Sequence, residues 1–329
     1  MPSWGGCGWT TCTWGRGSPH RFPADRLRMA DGPVPATALM AVICYPVVAW
    51  RRPIAIGGCD MKVYIMTDME GVAGVTNWDD FGSPEGRYYE IGRELTTREV
   101  NAAIEGALEA GATEILVVDG HGHGAINPLL LHPEAKLLTG RPLGYPFGCD
   151  HSFDAAFIVG QHAKSNTDGG HLCHTGSFLI EELSINGVSV GELGCNMLFC
   201  AYFGVPTVMV SGDLAATEEA RALVPNVEVA PVKEGLKRGS ASGLTGTENK
   251  LFNGAAIHLH PEKARERIRE AARRGLERRD EIGLFWLDPP YELVSRTRPQ
   301  EGQPGGVAVN RADDLLELLR LPRRHEPEG

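Results

Sequence analysis

The chain has 329 residues, of which 42% are apolar, and a formal net charge of −10 at pH 7. That length and apolar share suffice for one large or two ordinary domains with a full core. The acidic balance excludes phosphate-backbone binding, which needs a basic footprint, as the main activity.

Residues 1–60 differ from the rest of the chain. They hold six Arg, no Lys and three Asp, a charge of +3 that leaves −13 for the remainder. Four of the six Trp (Trp4, Trp9, Trp14, Trp50) and four of the eight Cys (Cys7, Cys12, Cys44, Cys59) also fall here, without sustained periodicity. No CxxC pair occurs anywhere, so neither a zinc ribbon nor a thioredoxin-like site is suggested. The apolar run Pro33 to Trp50 is broken by Pro35 and Pro46 and falls short of the roughly 20 residues of a spanning helix. It also lacks the basic start and small-residue cleavage site of a signal peptide. The expectation is a disordered extension or an over-long gene start, with Met61 the natural beginning and a membrane anchor the alternative. Cys149, Cys173, Cys195 and Cys200 sit in apolar or site-adjacent contexts, as reduced thiols of a cytoplasmic protein do.

From Met61 the pattern is α/β. Lys62 to Gly71, KVYIMTDMEG, reads as a strand with Asp68 and Glu70 at its carboxyl end, where open α/β sheets place ligands. In extended backbone, side chains at i and i+2 point the same way, so the two carboxylates can converge. Two like charges that close need a cation or a shared proton, and a solvated acidic turn is the alternative. A Gly- and aromatic-rich loop with Trp78 and Phe81 comes next, suited to shaping a pocket. Gly92 to Ala110 has helical spacing and Gly111 stops it. EILVVD, Glu114 to Asp119, is a second strand, which completes a βαβ unit and hence a parallel sheet. It runs into Gly120-His121-Gly122-His123-Gly124, where His121 is a candidate metal ligand and Asp119 its orienting partner.

Asn127 to Arg141 reads as loop and short structure. Phe153 to Gly160 is a third apolar strand, followed by Gln161-His162-Ala163. Three strands therefore each deliver ligand-type residues just past their ends. His171 and His174 form an i, i+3 pair, His174 among Thr and Ser where a reactive base would suit. Asn186-Gly187 between apolar flanks marks a hairpin. Glu192 precedes the apolar helix-like stretch Cys195 to Phe203 and needs a partner there, which metal ligation would supply. Beyond it, Pro206 to Ser211 and Val227 to Val232 read as strands, Thr217 to Val224 as a short helix, and Ser240 to Thr247 as a loop. His258 and His260 lack an acidic cluster and read as structural, and Pro261 to Arg279 is a charged helix with a solvated, ion-paired face. Pro-rich linkers surround a short strand at Tyr291 to Ser295, and Asn310 to Leu319 reads as a final capped helix. There is no repeat, P-loop, GxSxG or HExxH.

Asp68, Glu70, His121, His162 and Glu192 form a mixed oxygen and nitrogen set that suits Zn²⁺ or Mn²⁺. Five ligands with one bridging carboxylate suit two metals roughly 3.5 to 4 Å apart, a pair able to activate water and polarise a carbonyl. That is amide-hydrolysis chemistry.

The motifs DMEG at Asp68 to Gly71, DGH at Asp119 to His121, GQHA at Gly160 to Ala163, His174-Thr175 and VGELGCN at Val190 to Asn196 together resemble the zinc-dependent D-aminopeptidases of peptidase family M55, the DppA type. The resemblance covers most of residues 61–240 and fades from about residue 245. It implies an α/β three-layer core with a largely parallel sheet and the metal site at the carboxyl ends of its strands. It makes Asp68 the bridging carboxylate, with Glu70 and His121 completing one zinc site and His162 and Glu192 the other. His174 takes the position of the family's catalytic histidine, as a general base or as a stabiliser of the tetrahedral intermediate. The resemblance further implies short peptides with amino-terminal D-Ala as substrates, no nucleic-acid or membrane partner, and a homodecamer. Another binuclear metal amidohydrolase, or a non-catalytic peptide- or metal-binding accessory protein, are the alternatives.

Overall fold

The computed structural model describes residues 60–300 and 302–327 and the backbone of Cys44 and Tyr45. The expectation for residues 1–60 otherwise lies outside the described residues. The two-residue strand β1 (Cys44–Tyr45) pairs antiparallel with Leu284 and Phe285.

β2 (Lys62–Thr67) is followed by the one-turn helix α1 (Trp78–Phe81), the long helix α2 (Tyr89–Glu109) and β3 (Glu114–Asp119). β3 lies parallel to β2, so the βαβ unit is present. β4 (Ala135–Leu138) emerges from the segment read as loop, and β5 (Ala155–Gln161) is the third apolar strand. β6 (Ile180–Ile185) and β7 (Val188–Ser189) form the hairpin, with Asn186 at φ 50° and Gly187 at φ 77°, the left-handed pair that a two-residue turn demands. α3 (Glu192–Tyr202), β8 (Thr207–Asp213), α4 (Leu214–Leu223) and β9 (Glu228–Gly235) continue the alternation. Next come α5 (Gly246–Phe252), capped by a Thr245–Glu248 capping box, β10 (Ala256–His258) and α6 (Pro261–Glu277). The chain closes with β11 (Leu284–Phe285), β12 (Tyr291–Thr297), β13 (Gly306–Ala312), α7 (Leu315–Arg320) and β14 (Glu326–Pro327).

The central sheet has seven strands in the order β10-β9-β8-β5-β2-β3-β4, parallel except for the edge strand β10. Every residue of β5 and β8 is buried, the signature of strands covered on both faces. α2 and α6 pack on each other and on the sheet, and α3 and α4 form a second pair against β5, β8 and β9, which makes three layers.

The carboxyl-terminal region departs from the expectation of linkers around one strand. β12 pairs with β13 on one side and β6 on the other, inside a five-stranded antiparallel sheet of order β14-β13-β12-β6-β7. The expected helix over Asn310 to Leu319 begins only at Leu315, because Asn310 is taken by the ladder opposite Leu293. α3 begins at Glu192 itself, three residues earlier than the apolar run indicates.

Candidate metal centre

The strand ends bring the acidic and imidazole side chains together. Beyond Thr67 the chain keeps contact with β5: the Asp68 N–H donates to Val159 O (2.9 Å) and the Gly71 N–H to Gly160 O (2.8 Å). This turn lies so close to β5 that a Cβ at Gly71 would stand 2.1 Å from Gln161 O, which restricts the position to glycine. Asp68 and Glu70 are thereby buried, and their carboxylates do converge. Asp68 Oδ1 and Glu70 Oε2 lie 3.3 and 3.2 Å from the same atom, His121 Nδ1.

Asp68 faces both ways. Its Oδ2 lies 3.3 Å from His162 Nε2, just past β5, and accepts from Gln161 Nε2 (3.1 Å). His162 Nε2 lies 3.3 Å from Glu192 Oε1, at the first turn of α3, where the Gly176 N–H also donates to that oxygen (2.6 Å). His174 Nε2 stands farther off, 3.7 Å from Glu192 Oε1 and 3.9 Å from Glu70 Oε1. The donor atoms fall into two groups, Asp68 with Glu70 and His121, and His162 with His174 and Glu192, each within 4.8 Å internally.

The tautomers are set by the outward-facing nitrogens. His121 Nε2 lies 2.8 Å from Gly82 O, His162 Nδ1 2.8 Å from Ala163 O, and His174 Nδ1 2.8 Å from Leu172 O. A carbonyl only accepts, so each of these nitrogens carries the proton. The other nitrogen of each ring therefore points a lone pair at carboxylate oxygens. Lone pairs facing carboxylates repel unless a second proton or a cation stands between them.

The electrostatics of the protein without metal reflect this geometry. Burial, and then the charge of Glu70, push Asp68 up to about 7. Burial works against charge on His121 and His162, yet the carboxylates of Glu70 and Glu192 outweigh it and raise both imidazoles well above the usual value. For Glu70, burial is likewise outweighed, by His121, and the carboxyl falls well below its usual range. His174 moves the other way: burial and the neighbouring His162 keep its imidazole neutral. Protons thus stand in where a cation would. Glu70 Oε2 and His162 Nε2 are buried without any hydrogen-bond partner, and both face the cluster. Orphaned polar atoms of this kind, within a donor set of carboxylates and imidazoles, fit divalent metal.

The His174 ring is held by stacking, on His162 at 3.8 Å and on Phe178 at 4.4 Å between centroids. Trp78, in the loop expected to shape a pocket, lies 5.6 Å from His121 and 5.7 Å from Phe178. His123 lies outside both groups, and Asp119 receives the Ala125 N–H (2.7 Å) instead of orienting His121. On the other side a small cavity of about 70 Å³ opens beside Asp68 and Glu192, lined also by Tyr145, Phe147 and Asn196. Sequence reasoning missed Tyr145 and Phe147, which are not themselves ligand-type residues.

A set of three carboxylates and three imidazoles, all buried except the partly exposed Glu192, gathered at the strand ends of a parallel α/β sheet defines a metalloenzyme scaffold. The profile of the Peptidase M55 family, described as D-aminopeptidase, matches residues 61–301. The chain belongs to this family, and it is a metallo-aminopeptidase, a hydrolase of peptide bonds. A D-aminopeptidase of Bacillus subtilis (strain 168) is 40% identical over 190 residues, 56% of this chain and 68% of that protein. The solved structure of the Zn-dependent D-aminopeptidase DppA from Bacillus subtilis, described as a self-compartmentalizing protease, covers 79% of this chain and 94% of its own, at 30% identity and a TM-score of 0.67.

Proposed function

We propose that this protein is a binuclear zinc D-aminopeptidase that removes an amino-terminal D-residue of the D-Ala type from short peptides. Asp68 bridges the two sites, Glu70 and His121 complete one, His162 and Glu192 complete the other, and His174 is the catalytic acid/base. The observation that carries the reading is the position of Asp68, whose two oxygens lie 3.3 Å from an imidazole of each group. Zinc bound there would polarise the scissile carbonyl and make water a competent nucleophile at neutral pH.

The assignment of His174 rests on what the other imidazoles leave free. Each group already has one histidine closer to its carboxylates, and His174 Nε2 stands farther out at 3.7 and 3.9 Å. Its Nδ1 proton is committed to Leu172 O and its ring is fixed between His162 and Phe178. A neutral, oriented Nε2 can take a proton from water and return it to the leaving amine.

The test uses the full chain: bound metal per chain, then hydrolysis of D-Ala and L-Ala p-nitroanilides with and without chelator. About two zincs and chelator-sensitive cleavage of the D substrate alone are expected. His174→Ala should abolish turnover while leaving metal content unchanged. Full activity would remove His174 from the mechanism, and loss of one zinc would make it a ligand. We further propose a cytoplasmic homodecamer. The self-compartmentalizing description of the DppA neighbour and the four described cysteines, all free thiols, support this, and sedimentation velocity measures the assembly.

A further inference from the structure

Beneath the metal centre lies a second group of buried ionisable side chains that the chemistry does not use. Lys233 ends the apolar run of β9 and is only 3% exposed. Its Nζ donates to the backbone carbonyl of Glu70 and to that of Val75 (3.1 Å). Glu99, on α2 and 1% exposed, accepts the Ala73 N–H at its Oε1 (2.9 Å). His258, on β10, accepts the Gly74 N–H at its Nδ1 (3.1 Å). His171 is fully buried, and its Nε2 donates to Thr76 O (3.2 Å) while its own N–H donates to Asp213 Oδ2 (3.0 Å).

Four side chains from four separate parts of the chain therefore satisfy five backbone groups of one turn, residues 70–76. Past Gly71 the turn meets some of its own groups, the Val72 N–H donating to Met69 O (3.1 Å) and the Val75 N–H to Val72 O (3.3 Å), but it forms no ladder, so the five groups above are met from outside. Burying an ammonium, a carboxylate and an imidazole is expensive unless each makes such bonds. The turn begins at Glu70, whose carboxylate belongs to the metal centre.

We propose that Lys233 is a positioning residue for Glu70, the central member of a buried clamp with Glu99, His258 and His171 that fixes the turn and so presents the Glu70 carboxylate to the first metal. The bond from Lys233 Nζ to Glu70 O acts on the same residue that supplies the ligand oxygen. Ligand orientation is thus set by a side chain 163 positions away. This inference rests on the binuclear reading above.

Lys233→Met keeps length and volume but removes both donors. Its effect on zinc separates the clamp from plain electrostatics: deleting a positive charge near a cation site would by itself tighten metal binding, whereas a freed Glu70 weakens it. The clamp predicts about 10- to 100-fold weaker binding of one of the two zincs, as lost support of a ligand typically produces, together with a fall in kcat larger than any change in KM. The measurements are zinc titration of the chelator-stripped full chain, kcat and KM for D-Ala p-nitroanilide, and the thermal midpoint. A folded Lys233→Met protein with two zincs at wild-type or tighter affinity overturns the proposal, even if its thermal midpoint has dropped. If Lys233→Met does not fold, His258→Ala decides, because this half-buried edge-strand residue removes one acceptor of the same turn. Weaker zinc binding there supports the clamp, and wild-type affinity overturns it. A wild-type protein that binds no zinc would instead sink the functional reading, which keeps the two failures apart.

Discussion

Asp68→Asn is the substitution that tests the shared character of the centre. The two side chains have nearly the same shape, so the change removes one negative charge and introduces an NH₂ group. If that NH₂ takes the place of Oδ2 it meets the Gln161 amide donor at 3.1 Å, and if it takes the place of Oδ1 it meets the Met69 N–H at 2.9 Å. Either orientation sets donor against donor. Breaking a buried, hydrogen-bonded charge interaction costs about 3 to 5 kcal/mol, equivalent to roughly 10²- to 10³-fold or more in affinity. Because Asp68 lies 3.3 Å from an imidazole of each group, both zincs should weaken by about this factor. Glu70→Gln and Glu192→Gln should each weaken only one, since each carboxylate belongs to a single group. Zinc titration of the chelator-stripped chain, with bound metal counted by mass spectrometry, distinguishes these patterns. An Asp68→Asn protein that retains one zinc at wild-type affinity would refute the bridging role.

Zinc binding should also release protons. Asp68 sits at about 7 and His121 and His162 are raised well above the usual imidazole value, so near neutrality the metal-free centre holds protons that must leave as metal enters. Affinity therefore rises with pH through 7 and falls below it, and calorimetry in buffers of different ionisation enthalpy should show buffer-dependent heats; equal heats would contradict the assignment. Gly71→Ala should lower stability by about 1 to 3 kcal/mol or more, since the new Cβ would stand 2.1 Å from the Gln161 carbonyl, a backbone atom that cannot swing aside. Thermal unfolding reads this directly, and an unchanged midpoint would mean that the turn is free to move off β5.

Much of this protein is determined locally and is therefore legible in the chain. Apolar runs of strand length, each followed by DME, GH or QH, announce a parallel sheet with ligand-type residues past its strand ends, because side-chain period and turn residues act over a few positions. Asn186-Gly187 is legible for the same reason: few residues besides these reach the left-handed turn conformation. Tertiary structure decided the rest. Lys233 follows the strand pattern of Val227 to Val232 with no local sign of burial, and only the passage of β9 against the turn at residues 70–76 buries it. His171 and His174 stand as an i, i+3 pair in the sequence, yet His171 reaches Thr76 while His174 turns into the metal centre. β13 is hidden by its Pro-rich flank and takes shape only by pairing with β12, itself held by β6 more than a hundred residues earlier in the chain. In each case burial and register come from partners distant in sequence, and no local pattern can encode the identity of a distant partner.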